Sequence, residues 1–230
     1  GAPVTGLAAS DFAVREDGRE LQVVRVDQEA GPARVALLID TSAFSDSAGE
    51  PYREALSNFI RRLVPPHQVA LYEFGDRAAV LTPFSSDLAV LMDAIGRVSS
   101  RRNATPRLID AVELASRDLR AASATRPVVV AVTAAAADVS TASAGSVIKQ
   151  LMTQPAALHI VAMTGRTGPQ GASLRSASGQ SEMDRRDRLN QLRSVGEGDR
   201  EWSRLLNEGT SKTNGALHLV TSVLAIGPAL

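Results

Sequence analysis

RVALLIDTSAFSDS, residues 34–47, is the stretch whose reading decides the fold. Residues 35–39 form an unbroken apolar run, the pattern of a parallel strand covered on both faces. Asp40 follows directly, with the hydroxyls of Thr41, Ser42, Ser45 and Ser47 after it. Open α/β sheets bind ligands in the crevice outside the carboxyl ends of their strands, so Asp40 is expected at the mouth of such a crevice. Its carboxylate and the Ser42 hydroxyl are oxygen ligands of the kind a hard divalent cation accepts. The plainer reading has Asp40 capping the strand end and accepting hydrogen bonds from nearby backbone amides.

Outward from this strand, helical and strand periodicities alternate. Pro51 begins a helix with Ala55, Leu56, Phe59, Ile60 and Leu63 as its apolar stripe, stopped by Pro65-Pro66. Residues 69–74 read as a second strand and 78–81 as a short return strand after the Gly75-Asp76 turn. Ser85-Ser86-Asp87 caps a helix through Leu88, Leu91, Met92 and Ile95, and Pro106 starts another through Leu108, Ala111, Val112, Ala115 and Leu119. Strands at 127–133, 157–163 and 216–220 follow, with a helix around 147–152. This order predicts an α/β fold: a doubly wound, mostly parallel open sheet with right-handed crossovers and 78–81 antiparallel at one edge.

Ahead of the sheet, residues 11–26 alternate apolar and polar on both sides of Asp17-Gly18, a strong hairpin signal. Phe12 and Val14 are expected to face inward with Leu21, Val23 or Val24, and Val26, forming an N-terminal β-ribbon that packs on the main domain. The expected organisation is ribbon and linker over 1–32 and one α/β domain over 33–230. Between 165 and 200 the rhythm breaks into a Gly-, Ser- and Gln-rich run and then RRDRLNQLR. Such a segment inside a compact domain reads as a mobile surface insertion.

Composition narrows function further. Lys+Arg and Asp+Glu both number 25, a net charge of +0, so no overall basic field draws in nucleic acid or anionic lipid. No apolar run approaches the length of a transmembrane helix, the first residues lack a signal peptide's basic and apolar regions, and the missing initiator Met suggests a piece of a longer protein. The absence of cysteine removes disulfides, thiolate metal sites and cysteine nucleophiles together. No G-x-x-x-x-G-K-[ST], G-x-G-x-x-G or G-x-S-x-G motif follows a strand. His67, His159 and His218 are scattered in sequence, the latter two inside expected strands, and Glu73 and Asp76 read as a strand end with a turn acid. A hydrolase or nucleotide-binding enzyme therefore stands as an alternative without a motif.

The segments VALLIDTS, VALYEFGDRAAVLTPFSSD with its LxxLMDAI continuation, LIDAVELA and VVVAVT together resemble the von Willebrand factor type A domain, over most of the chain from Ala33 to Val220. The opening GLAASDFAVREDGR looks like the lead-in of a bacterial, acidobacterial-type subgroup of exported proteins with such a domain. The resemblance implies a Rossmann-like fold. It also implies a metal-ion-dependent adhesion site built from an aspartate and two hydroxyls in the first loop, a threonine before the helix near Pro106, and an aspartate after the fourth strand's terminal threonine. Asp40 and Ser42 match that pattern, while Phe44 stands where the second hydroxyl belongs. Pro106 falls on the threonine position with Thr105 one residue out of register, and Ala134 replaces the aspartate after Thr133.

By this resemblance the metal site is degenerate. The chain is expected to be an exported, periplasmic or extracellular protein-protein interaction or adhesion-type domain, not an enzyme, without a cofactor and without membrane insertion. Its expected partner is another protein, met by Asp40, Ser42, Phe44, Ser45, Asp46 and Thr105. In the alternative, Asp40, Ser42 and Thr105 hold Mg2+ or Mn2+ weakly and a partner carboxylate completes the coordination. Asp138 beyond the alanine run, or Ser45, Asp46 or Ser47, would have to bend in to restore the lost ligands.

Overall fold

Asp17 and Gly18 carry the positive φ angles, 50° and 79°, that a two-residue turn between antiparallel strands requires. They join β1 (Val14–Glu16) to β2 (Arg19–Leu21), paired as expected. The computed structural model describes residues 6–26, 31–42, 49–101, 104–134, 138–163 and 198–230. These fall into two compact units, Gly1–Gly31 and Pro32–Leu230. In the first unit Phe12, Val14 and Leu21 are 41%, 45% and 43% exposed, and Val23 is half-buried. Two three-residue strands have no second layer of their own to bury a face against.

The second unit is built around β3 (Arg34–Asp40), which pairs in parallel with β4 (Gln68–Phe74) on one side. On the other side it pairs in parallel with β6 (Pro127–Ala134). β5 (Ala78–Ser85) closes one edge antiparallel to β4, while β7 (Ala157–Met163) and β8 (Leu217–Val220) extend the other in parallel, giving the order β5-β4-β3-β6-β7-β8. The sheet is thus α/β, doubly wound and mostly parallel, as the sequence predicts. β5 runs four residues past the expected 78–81. Pro83 is tolerated because the strand lies on an edge and its pairing with β4 is irregular between Leu71 and Val69.

Alternation along β3 sends Val35, Leu37 and Ile39 to one face and Ala36 and Leu38 to the other, all buried. The first face is covered by α1 (Gly49–Leu63), α2 (Leu88–Gly96) and the short α6 (Ile226–Ala229). The second is covered by α3 (Leu108–Ala121), α4 (Ala144–Thr153) and α5, a helix over residues 198–212 whose middle, Leu205–Gly209, is π-helical. Of the expected insertion, 165–197 lies outside the described residues, and 198–200 open α5. The sequence reading assigns no element from 201 to 215. Trp202, Leu205, Leu206 and Gly209 carry the helical spacing that reveals α5, and Leu205 and Leu206 are buried against α4 and β7.

The link from α5 to β8 is stitched along the start of β7. Leu158 N–H donates to Thr213 Oγ1 at 3.0 Å, and Ile160 N–H donates to the Ala216 carbonyl at 2.9 Å. Gly215 passes so close that a Cβ there would lie 1.7 Å from the Leu158 carbonyl oxygen. Backbone must move to admit any side chain, so Gly215→Ala is expected to lower stability by about 2 kcal/mol or more, read as a shift of the urea midpoint at unchanged slope.

Candidate functional site

The site is assembled where β3, β4 and β6 end together. β3 carries Asp40 to its last position, opposite Phe74 of β4. Asp40 is wholly buried. Its Oδ1 accepts the Ser42 backbone N–H at 2.8 Å and the Ser42 hydroxyl at 2.5 Å, and its Oδ2 accepts the Thr133 hydroxyl from β6 at 2.9 Å. A buried carboxylate needs donors in place of its hydration, and these three supply them. Tyr52 of α1 lies on the same side with its phenol fully buried, 3.5 Å from the Val132 carbonyl. Burial first, and then the Asp40 charge, push the Tyr52 phenol well above its usual range, so it stays protonated.

Around this centre the described residues at the strand ends are tied to one another. Thr41 donates its N–H to the Phe74 carbonyl at 2.9 Å and its hydroxyl to the same oxygen at 3.1 Å, and its own carbonyl accepts Arg101 N–H at 2.8 Å. Gly75 sits against Thr41 so tightly that a Cβ would lie 2.9 Å from the Thr41 hydroxyl. The Arg101 guanidinium pairs with Glu73 at 2.5 Å. Asp76 accepts Thr105 N–H at 3.0 Å. Glu73 and Asp76 therefore hold Arg101 and Thr105, in keeping with their reading as a strand end and a turn acid.

Of the sequence-predicted site residues, Asp40 and Ser42 are brought together, Ser42 half-buried and Asp40 with no exposed surface. Thr105 is exposed in the neighbouring loop. Phe44, Ser45 and Asp46, with Ser47, lie outside the described residues. Asp138 does not turn toward Asp40. It is buried beside the first turn of α3, where Oδ2 accepts Leu108 N–H at 2.6 Å and Oδ1 accepts Ser140 N–H at 2.8 Å. Asp110 completes the tie by accepting the N–H groups of Thr141 and Ala142, both at 2.9 Å.

Sequence reasoning passed over Thr133 as a donor to Asp40, and Asp138 as the cap of α3. The second had a signal, because the position before α3 is Arg107, which offers no side-chain cap, while Asp138-Val139-Ser140 has the Asx-turn pattern. Among the described residues no group of three or more His, Asp or Glu side chains is placed to hold a metal ion. No helix among them is long and apolar enough to cross a membrane.

Fold and strand-end geometry define a class, and sequence comparison agrees: residues 35–136 match the family model of the von Willebrand factor type A domain. The chain carries a domain of that family, whose members are protein-interaction or adhesion modules rather than enzymes in general. None of the curated proteins compared matches it. Among solved structures it is similar to a von Willebrand factor type A protein from Catenulispora acidiphila, at TM-score 0.61 and 14% identity, over 86% of this chain and 41% of that one. An aerotolerance-related membrane protein from Bacteroides fragilis matches at TM-score 0.57 and 15% identity, over 86% and 96%. Proximal thread matrix protein 1 from the mussel byssus, whose MIDAS motif is occupied by zinc, matches at TM-score 0.57 and 15% identity, over 87% and 45%. At these identities the likeness is one of fold. This chain spans about two fifths of the first of these relatives.

Asp138 supplies a test of the tie beneath the site. Burial pushes its carboxyl above the usual value, against hydrogen bonds from Ser140, Leu108 and Ile109 that lower it. A folded-state value above the unfolded one favours the folded protein most below the unfolded pKa, near 4, and the advantage is lost as pH rises through the folded value. The stability of wild type relative to Asp138→Asn, which cannot titrate, should therefore fall as pH rises above the unfolded carboxyl's value, about 4, in urea melts. Asp138→Ala, which removes the cap, should cost about 1–2 kcal/mol at neutral pH.

Proposed function

We propose that this domain recognises another protein through the loops at the carboxyl ends of β3, β4 and β6, without a tightly held cation. The observation that carries the reading is the state of Asp40: both carboxylate oxygens already accept from Ser42 and Thr133. A cation of the Mg2+ or Mn2+ kind wants near-octahedral oxygen coordination, with more than one hard ligand from the protein. Here the described residues offer one buried carboxylate and the hydroxyls that bond it, with alanine at 134 and phenylalanine at 44 in the sequence. Asp138 is spent on α3. This donor set does not fit a resident divalent cation.

Asp40 then acts as a positioning residue, fixing Ser42 and the end of β6, while contact falls to the groups around it. Phe44 is the apolar anchor of the proposed site, and Ser42, Ser45, Asp46 and Thr105 are its polar rim. A central aromatic surrounded by polar groups is the usual anatomy of a protein interface. The setting proposed for this recognition is outside the cytoplasm.

Two measurements test the reading. Mg2+ or Mn2+ should leave the melting temperature unchanged, because a ligand selective for the native state would raise it by mass action. A clear rise at sub-millimolar metal that Asp40→Asn abolishes would overturn the metal-free reading.

Capture of a partner from the source organism's envelope fraction should be insensitive to chelator. It should weaken with Phe44→Ala by about 1–3 kcal/mol while the melting curve hardly moves. Loss of about 3–5 kcal/mol of stability with unchanged capture would instead make Phe44 an internal plug.

A further inference from the structure

All three histidines of the chain, distant in sequence, line one cavity. It lies at the opposite end of the sheet from Asp40, on the face covered by α1 and α6, near the starts of β3, β6, β7 and β8. Its volume is about 300 Å3, and its walls are apolar: Phe59 and Leu63 of α1, Val128, Val130 and Val161 of the sheet, and Leu230 after α6. The polar side chains lining it are His67, His159 and His218, and no Asp or Glu side chain is among them. An apolar pocket of this size with a few convergent polar groups is the usual form of a small-molecule site.

The backbone fixes the donor nitrogen of one of these imidazoles. His67 Nδ1 accepts the Ala33 N–H at 3.0 Å, which leaves the ring proton on Nε2. His218 pairs in register with Val161, two residues beyond His159 on the adjacent parallel strand, so the two rings share one face of the sheet. Burial, and then the neighbouring His218, hold the His159 ring below its usual pKa. Neutral imidazole still offers one N–H, and an entering anion favours the protonated form of any ring beside it. No Asp or Glu side chain lines this wall to receive a cationic head group, whereas an anionic one meets imidazole rings on an otherwise apolar surface.

We propose that this cavity binds a small amphiphilic carboxylate, its hydrocarbon chain between α1 and the sheet and its head group at the His159 and His218 rings. The site is separate from the protein-recognition face and does not depend on it.

Octanoate is the probe, octan-1-ol and acetate the controls, and the reporters are the ring C–H signals of the three histidines, each assigned by its His→Gln variant. At neutral pH octanoate should shift the His159 and His218 signals saturably with a dissociation constant below about 1 mM. Octanol, which lacks the charge, and acetate, which lacks the chain, should each bind at least about tenfold more weakly. His218→Gln, at an exposed position, should weaken octanoate by about tenfold, the loss expected for one charge-assisted hydrogen bond. Ala229→Phe, at the cavity wall, should abolish binding with the melting curve retained. Absence of a saturable shift, octanol or acetate matching octanoate, or unchanged affinity in both His159→Gln and His218→Gln would overturn the proposal. Should a variant fail to fold, the comparison of the three probes on wild type decides alone.

Discussion

A central parallel strand survives only when both of its faces are kept from water, and that constraint organises the larger unit. Val35, Leu37 and Ile39 need one apolar layer and Ala36 and Leu38 another. The layers come from α1, α2 and α6 on one side and α3, α4 and α5 on the other, each presenting an apolar stripe. Because the crossovers between parallel strands carry these helices, covering the sheet and connecting it are one requirement. The same arrangement brings the ends of β3, β4 and β6 together, and with them Asp40, Phe74 and Thr133.

At those ends the polar groups satisfy one another. Asp40 takes Ser42 and Thr133, Thr41 takes Phe74 and Arg101, Glu73 takes Arg101, and Asp138 takes the first turn of α3. Polar groups buried this way must be paired. The lower end of the sheet differs in kind: its three imidazoles ring an apolar space, and the one of their hydrogen bonds described above ties His67 to the backbone of Ala33.

Much of the fold was legible because its signals are local. Residues 35–39 and 157–163 read as buried strands from uninterrupted apolar runs, and Asp17-Gly18 announced its turn because few residues accept positive φ. Where the reading stopped short, a non-local partner made the difference. Pro83 sits in β5 because an edge strand can spare an N–H, and α5 is held by α4 and β7.

At the candidate site, sequence by itself determined which groups are at hand: a carboxylate at 40 and a hydroxyl at 42, with phenylalanine at 44 and alanine at 134. Which groups engage that carboxylate was decided only by tertiary structure, since Thr133 reaches it from 93 residues away and Asp138 turns instead to Leu108. The histidines follow the same division. Their number and identity are written in the chain, but their meeting depends on β7 and β8 being neighbours and on α1 ending beside the start of β3. Periodicity encodes which face of an element is buried, whereas the identity of what lies against that face is set by how the elements pack.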